Sequence, residues 1–394
     1  MLSRIQYTEY TSSFMAAKTV AIVGVGISGL SCAATLAREA QRTSRKVNLR
    51  LFEASNRIGG QIDTRRLMIL GLDSRVIVEA GAEGFVARSK IFPELAEMSC
   101  METDQIVKQS RVADNELQVN PGDPSQFTIV ELEPGLAAQK LGFQVPEEDR
   151  GKGLRSFKNG MGDIIEQLAN GLDISLNSSV SSVESVHDGF RLGVFQNGIW
   201  SSYTADLIVF ATPLAVIKET LKSFGVQCNV KPLLHNSHVS VHLLVRRREG
   251  IFPRSFTVSL ALQQKFGGLR ACSFLDDKFP GRCDNNHWLF RFYFRPSPDE
   301  MLSESEKWVV LARETLERVF GYSEEPVWYH FAPWQSALPV ITPDHIRDCR
   351  TYREELSDKF KGAIEICGSE VSGAGLDAAA TSGYDAAKRI LEKV

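Results

Sequence analysis

The 394-residue sequence predicts an α/β chain in two parts. One part is a discontinuous, Rossmann-like nucleotide-binding domain of parallel strands, and the other is an α+β domain with an antiparallel sheet. Three observations predict this. Residues 20–64 hold two apolar strands around a glycine turn and a helical pattern. A glycine-rich strand-to-helix turn recurs in residues 363–394. Residues 230–332 alternate apolar and polar positions, as strands covered on one face do.

The first block begins with the apolar run Val20–Val23, followed at once by Gly24-x-Gly26-x-x-Gly29 and a helical pattern. A second strand, Val47–Phe52, ends on Glu53. Strand, glycine turn, helix, strand and acid together form the dinucleotide fingerprint in its required context. Gly24 permits the tight turn, Gly26 lets backbone approach a pyrophosphate, and Gly29 lets helix and sheet pack closely. Ile27 and Ser28 open the helix, whose free N–H groups suit phosphate. Glu53, followed by Ala54, is placed to accept hydrogen bonds from ribose hydroxyls. A second glycine turn, Asn56-Arg57-Ile58-Gly59-Gly60-Gln61, follows directly. A nicotinamide-only unit has no need of it, whereas a longer ligand lying extended across the domain does.

Phe157–Gly162 opens the second block, with a helix expected over Ile164–Leu172. A strand is expected over Ile174–Val180, with others around Phe190–Val194 and Leu207–Phe210. The third block has a strand at Ala363–Cys367, then Gly368, Gly373 and Gly375 before the last helix. Between the blocks, residues 101–150 are turn-rich and polar, and are expected to be irregular. Strands are expected at Val239–Val245, Phe256–Leu260 and Trp288–Phe294, with a covering helix at Ser303–Phe320.

These motifs resemble the flavin amine oxidase superfamily, which includes protoporphyrinogen oxidases. The family's Glu-Ala-x-x-Arg-x-Gly-Gly stands here as Glu53–Gly60, and its Glu/Asp-x-Gly-Ala as Glu79–Ala82. Phe157–Gly162, Asp276–Arg282 and Trp334–His345 resemble the porphyrinogen-oxidase branch, as does the Gly-x-Gly-Leu turn Gly373–Leu376. The resemblance implies FAD, held noncovalently, since no cysteine stands at the family's attachment position. It implies backbone contacts to the flavin ring from Gly81, Ala82 and Glu83, and cofactor contacts from Gly60, Gln61, Val180, Trp334, Gly368, Ser369, Gly375 and Leu376. Three departures stand out. Gln61 replaces an Arg that meets the pyrophosphate in many members. Ala374 and its neighbours stand where amine oxidases place an aromatic cage residue. The segment before Phe157 is shorter than the family's.

Domain boundaries follow from these blocks. Residues 1–18 form a flexible, Ser/Thr-rich lead-in without an apolar signal core, with an organelle-targeting segment as the alternative. Residues 19–90, 152–225 and 335–394 form the FAD-binding domain, and residues 91–151 and 226–334 the substrate domain.

Composition narrows the partners. A net charge of −3 gives no basic field for nucleic acid. Arg246-Arg247-Arg248, the one compact cationic run, reads as a solvated strand end, with a contact to an anionic substrate or a membrane as the alternative. Seven cysteines without a CxxC pair suit a reducing compartment, so a cytoplasmic location is expected, with no disulfide framework or zinc site. His238 and His242 on one strand face would stand roughly 13 Å apart, too far to share an ion. Cys349 and His345 read as structural. No run is long enough for a transmembrane segment. The expected partners are a small-molecule substrate and molecular oxygen; oligomeric state is not encoded in these patterns. The leading expectation is an FAD-dependent oxidase or desaturase acting on a C–H bond of a ring-containing substrate. The alternatives are an oxidase of an amine, amino acid or secondary metabolite, and a non-catalytic flavin-binding redox partner. No catalytic residue is assigned.

Overall fold

A computed structural model describes residues 17–394, apart from 73, 111–113, 143–145, 227, 298–299, 301–303 and the side chain of 124. The expected lead-in of residues 1–18 lies almost wholly outside the described residues. The chain opens with β1 (Lys18–Val23), α1 (Ile27–Arg42) and β2 (Val47–Phe52). A hairpin follows, β3 (Thr64–Leu67) and β4 (Val76–Glu79), then α2 (Ile91–Met98) and β5 (Ile106–Lys108).

Residues 101–150, expected to be irregular, instead form a long hairpin, β6 (Asp114–Asn120) and β7 (Asp123–Leu132), followed by α3 (Leu136–Lys140). Pro121 and Gly122 are its turn, closed by the Asn120–Asp123 pair and by the Gly122 N–H donating to Asn120 Oδ1 at 2.9 Å. Pro124 sits within β7, which is an edge strand and needs no donor there. Pro121 and Pro124, which read as part of an irregular segment, therefore mark a hairpin tip.

Next come β8 (Arg155–Phe157), α4 (Gly162–Ala169), β9 (Ile174–Ser175), β10 (Ser178–Val186), β11 (Gly189–Gln196), β12 (Ile199–Ala205), β13 (Leu207–Phe210) and α5 (Leu214–Thr220). The strand expected over 174–180 is two strands, broken at Asn177, whose φ is +51°. The second part continues with β14 (His235–Arg246), β15 (Phe256–Val258), α6 (Leu260–Gln263), β16 (Leu269–Phe274), α7 (Leu275–Lys278), β17 (His287–Phe294) and α8 (Ser305–Phe320). It ends with β18 (Trp328–Pro339), α9 (Pro343–Phe360), β19 (Ile364–Ile366), α10 (Ser369–Ser372) and α11 (Leu376–Leu391).

Two sheets organise these elements. The first is five-stranded in the order β19-β13-β1-β2-β9, with all pairings parallel. Its strands are almost continuously apolar because both faces are covered: α1 and α11 on one, the three-stranded sheet β10-β11-β12 with α5 and α9 on the other. The second sheet has seven strands in the order β18-β14-β17-β16-β15-β6-β7. It is antiparallel except where β15 meets β6 in parallel, because the upstream hairpin is added alongside β15. One face packs Val239, Val241, Leu243, Phe290, Phe292 and Phe294 with Trp308 of α8. The other face turns toward residues 79–83 of the first part.

Candidate functional site

Because the first sheet is parallel, β1, β13 and β19 all end at the same edge. Two turns leave from there, Gly24–Gly26 into α1 and Gly368–Gly375 toward α11. Gly24 has φ +98°, and a Cβ on it would lie 2.5 Å from Ala211 O. A Cβ on Gly29 would lie 2.0 Å from Gly24 O. These two glycines are therefore required by packing alone. Gly26 differs: a Cβ there would meet only Gly60 Cα at 3.8 Å. Gly60 faces it across the 59–60 turn, whose Gly59 N–H donates to Val25 O at 2.9 Å. On the other turn, nothing lies within 4 Å of a Cβ built on Gly368 or Gly375. The turns thus line open space with backbone.

Both helices that leave these turns are uncapped. Neither Gly26 before α1 nor Gly375 before α11 supplies a capping side chain. By contrast α9 is capped by Thr342, whose Oγ1 accepts from the His345 N–H at 3.2 Å. The two uncapped helices pack side by side, with Ser31 Oγ donating to Ala380 O at 2.7 Å. Their contact is so close that a Cβ on Gly383 would lie 2.0 Å from Ser28 O. Two helix N-termini, each with unspent N–H donors and a positive dipole end, therefore open at one sheet edge.

Around this edge the expected residues take distinct places. Ile27, Ser28 and Gly29 are the first turn of α1 and are buried. Glu53 spends one carboxylate oxygen on the Val25 N–H at 2.8 Å and the other on the Ser55 N–H and hydroxyl. It braces the glycine turn and keeps lone pairs for a further donor. Ala54 is exposed beside it. Arg57 holds the carbonyls of Gly60 (2.6 Å) and Ile62 (3.0 Å), fixing the second turn. Gln61 donates to Ala337 O at 2.5 Å, which ties this turn to β18. Val180 lies on β10 and is buried with Val23 and Phe52, so its side chain belongs to the core. Ser369 starts α10, and Leu376 starts α11 beside the open Gly375. Cys349 and His345 pack against each other at 3.2 Å, with His345 Nε2 on Glu370 O at 2.7 Å.

Residues 79–83 are where the first part meets the second sheet. Gly81 leaves no room for a side chain, since a Cβ would lie 2.1 Å from Gln61 O, and Ala82 N donates to that same oxygen at 2.9 Å. Trp334 Nε1 donates to Ala80 O at 2.7 Å, and Arg291 Nη2 donates to Gly81 O at 2.7 Å. The Glu83 carboxylate turns inward, to Lys278 Nζ and, at 3.6 Å, to Arg291 Nη1. Burial pushes its pKa up, but Lys278 and Arg291 prevail and hold the carboxyl below its usual range. Glu79 takes the opposite course. Burial pushes it up to about 7, against Arg282 and hydrogen bonds from Thr64 Oγ1 and Met161 N at 2.7 Å each. Burial and the nearby Arg291 lower the pKa of both His238 (to about 4) and His242, so both rings are neutral at pH 7.

This charged layer was missed from sequence. Arg291 is 2% exposed and the one charged residue in the aromatic strand Trp288–Phe294, and an Arg at an inward strand position was the available signal. Arg282, also 2% exposed, lay inside a motif already singled out.

A Rossmann-like domain interrupted by a mostly antiparallel sheet, with residues 79–83 clamped between them, defines the fold class of flavin-dependent amine oxidoreductases. The comparisons agree. The chain belongs to the family: residues 127–391 match the model described as flavin containing amine oxidoreductase, and residues 22–98 match an NAD(P)-binding Rossmann-like domain. It is 21% identical over 455 aligned positions to coproporphyrinogen III oxidase of Bacillus subtilis (strain 168), covering 91% of this chain and 95% of that one. It is 32% identical over 140 residues to coproporphyrinogen III oxidase of Staphylococcus aureus (strain NCTC 8325 / PS 47), covering 32% of this chain and 28% of that one. Among solved structures it resembles a provisionally assigned protoporphyrinogen oxidase from Exiguobacterium sp. 255-15, with TM-score 0.76, 18% identity, 96% of this chain and 100% of that chain. No helix among the described residues is long and apolar enough to cross a membrane.

Proposed function

We propose that the chain is an FAD-dependent oxidase that desaturates a reduced ring substrate of the porphyrinogen type, with dioxygen as electron acceptor and hydrogen peroxide as product. The observation that carries the reading is the pair of uncapped helix N-termini at one sheet edge, with Gly26 and Gly60 facing each other beside them. A cofactor with a pyrophosphate and a distal ring can use both ends, whereas a mononucleotide needs one. The curated relatives named coproporphyrinogen III oxidase support the substrate class.

The residues present fit such a cofactor. The Gly24–Gly29 turn and Gly60 would receive the pyrophosphate on backbone N–H groups, with Gln61 contributing no charge. Glu53 would receive the ribose. The backbone of Gly81–Glu83 would lie along the ring, held by Trp334 and Arg291, and Gly368, Ser369, Gly375 and Leu376 would close its far side. Binding would be noncovalent. A bound flavin supplies two-electron acceptance from a C–H bond next to nitrogen or a conjugated system. The chain's own part is to orient that bond and exclude water. Trp334, clamped to Ala80 O, gives a rigid aromatic wall for this purpose. Residues 19–90, 152–225 and 335–394 would form the cofactor domain; the remainder, with β18 running across position 335, would form the substrate domain.

The test is turnover. Protein reconstituted with FAD is incubated under air with coproporphyrinogen III or protoporphyrinogen while porphyrin fluorescence and peroxide are followed. Fluorescence should rise faster than with free FAD, with peroxide formed in step. No gain over free FAD for either porphyrinogen would remove the substrate assignment.

A further inference from the structure

The face of the seven-stranded sheet that meets residues 79–83 carries more positive than negative charge. Its inner row is His330, His242, Arg291 and Ser273, aligned by the pairings His242–His330, His242–Arg291 and Ser273–Arg291. Here Lys278 and Arg291 share one carboxylate, that of Glu83. Four residues further along the strands lies a second row. His238 pairs with Trp334 and stacks on it, with ring centroids 6.1 Å apart and planes 6° from parallel. Arg295 stands just past the end of β17, two positions beyond Tyr293. Arg270 comes next, on the irregular start of β16, where Arg295 N donates to Gly268 O at 2.9 Å.

These outer side chains are half-buried. Arg295 has no acidic partner among the described residues, and Arg270 meets only the neutral Gln263. Glu116 on β6 is already paired with Lys140 at 2.8 Å. Burial, and after it the charge of Arg295, lowers the pKa of Arg270; burial, Arg291 and then Arg295 lower that of His238. Arg270 also has a buried Nε with no partner. Mutual repulsion among half-buried cations is a cost that a folded chain bears without return unless an anion completes the group.

We propose that Arg270 and Arg295 form an anion subsite of the substrate groove, taking a carboxylate arm of a flat ring that stacks on His238 and Trp334. This rests on the oxidase reading above and deepens it. A guanidinium pair offers planar, forked donors matched to carboxylate. The same field opposes a cationic amine, so the groove selects acidic ring substrates over alkyl amines.

The test measures binding, not turnover. Coproporphyrin III, its neutral tetra-amide analogue and putrescine are titrated onto the FAD-loaded protein, with the porphyrin absorption band or displacement of bound porphyrin as readout. The carboxylate form should bind at least tenfold more tightly than the amide, with affinity falling as salt rises, and putrescine should not displace it. Arg295→Gln and Arg270→Gln should each bring acid and amide to within about twofold of each other, and Arg295→Lys should restore part of the gap. If a glutamine variant does not fold, the acid-to-amide ratio and salt dependence of the wild type decide alone. Equal binding of acid and amide, or folded variants that bind the acid as the wild type does, would overturn the subsite. If porphyrinogen is oxidised all the same, the oxidase reading stands while the subsite falls. If putrescine binds and the porphyrin does not, both fall.

Discussion

The two sheets present opposite chemistry to the groove between them. The parallel sheet offers mainly backbone: glycine turns and uncapped helix ends, braced by Glu53 and Arg57. The seven-stranded sheet and the loops beside it offer side chains: Arg291 and Arg270 from strands, Lys278 from α7, Arg282 and Arg295 from loops. A backbone surface suits a ligand of fixed shape shared by many proteins, because N–H groups and dipoles depend on the turn and not on side-chain identity. A side-chain surface can vary from one family member to the next without disturbing the turns. On the proposed reading the cofactor and substrate tasks would fall on different sheets, with residues 79–83 as the seam.

The comparison can be broken most severely at Arg291. It holds Gly81 O and Ser240 Oγ and faces Glu83, all buried. Arg291→Gln removes one of the two cations facing buried Glu83, and is expected to cost about 3–5 kcal/mol, read by denaturant unfolding of the FAD-loaded protein. A loss under 1 kcal/mol would show that the charged layer is solvated and not structural.

Gly29→Ala strikes the other sheet. The added methyl meets Gly24 O, which is backbone and cannot swing aside. About 3 kcal/mol of stability should be lost, or the fold altogether, measured by thermal denaturation. Gly26→Ser at the same turn has room and an extended backbone, φ −79°, ψ −174°. It should leave the flavin-free protein as stable or a few tenths of a kcal/mol more so, yet weaken FAD at least tenfold by occupying the donors a phosphate needs. If Gly26→Ser binds FAD as the wild type does, the turn is structural only.

Glu79 sharpens the contrast through pH. Its folded pKa of about 7 exceeds the ordinary 4.5, so the folded state binds the proton more tightly than the unfolded chain does. The stability this lends is fully present below the ordinary value and is lost as pH rises toward 7, a change on the order of 3 kcal/mol. Unfolding free energy measured from pH 4.5 to 8 should therefore contain a falling component that Glu79→Gln removes. An unchanged profile in the variant would place the titration elsewhere.

The smallest effect is expected at α9. Thr342→Ala removes the one side-chain cap among the three helices compared and should cost about 1 kcal/mol without altering FAD affinity. A change in FAD affinity would show that α9 is coupled to the groove.

Legibility in the sequence divides along the same line. Gly24, Gly26, Gly29 and Glu53 were found because a turn and its flanking strands are local, and their spacing follows from backbone geometry. The strand Leu207–Phe210 was found at its observed limits because a doubly covered parallel strand is a plain apolar run. The pairing of β6 with β15 was not legible, since no local pattern joins residues 116 and 257. Nor was the break at Asn177, which depends on a single left-handed residue. Arg291 and Glu83 stand 208 positions apart in number and meet only because two domains close on each other. Side-chain charge clusters need the tertiary pairing, whereas glycine turns announce themselves.

The central claim is that the open backbone of the parallel sheet holds a flavin dinucleotide. Purified protein titrated with FAD by calorimetry and visible absorbance tests it most directly. One FAD per chain should bind, give a perturbed flavin spectrum, and be released intact by acid denaturation. Protein that is colourless as purified and takes up no FAD across the titration would contradict it.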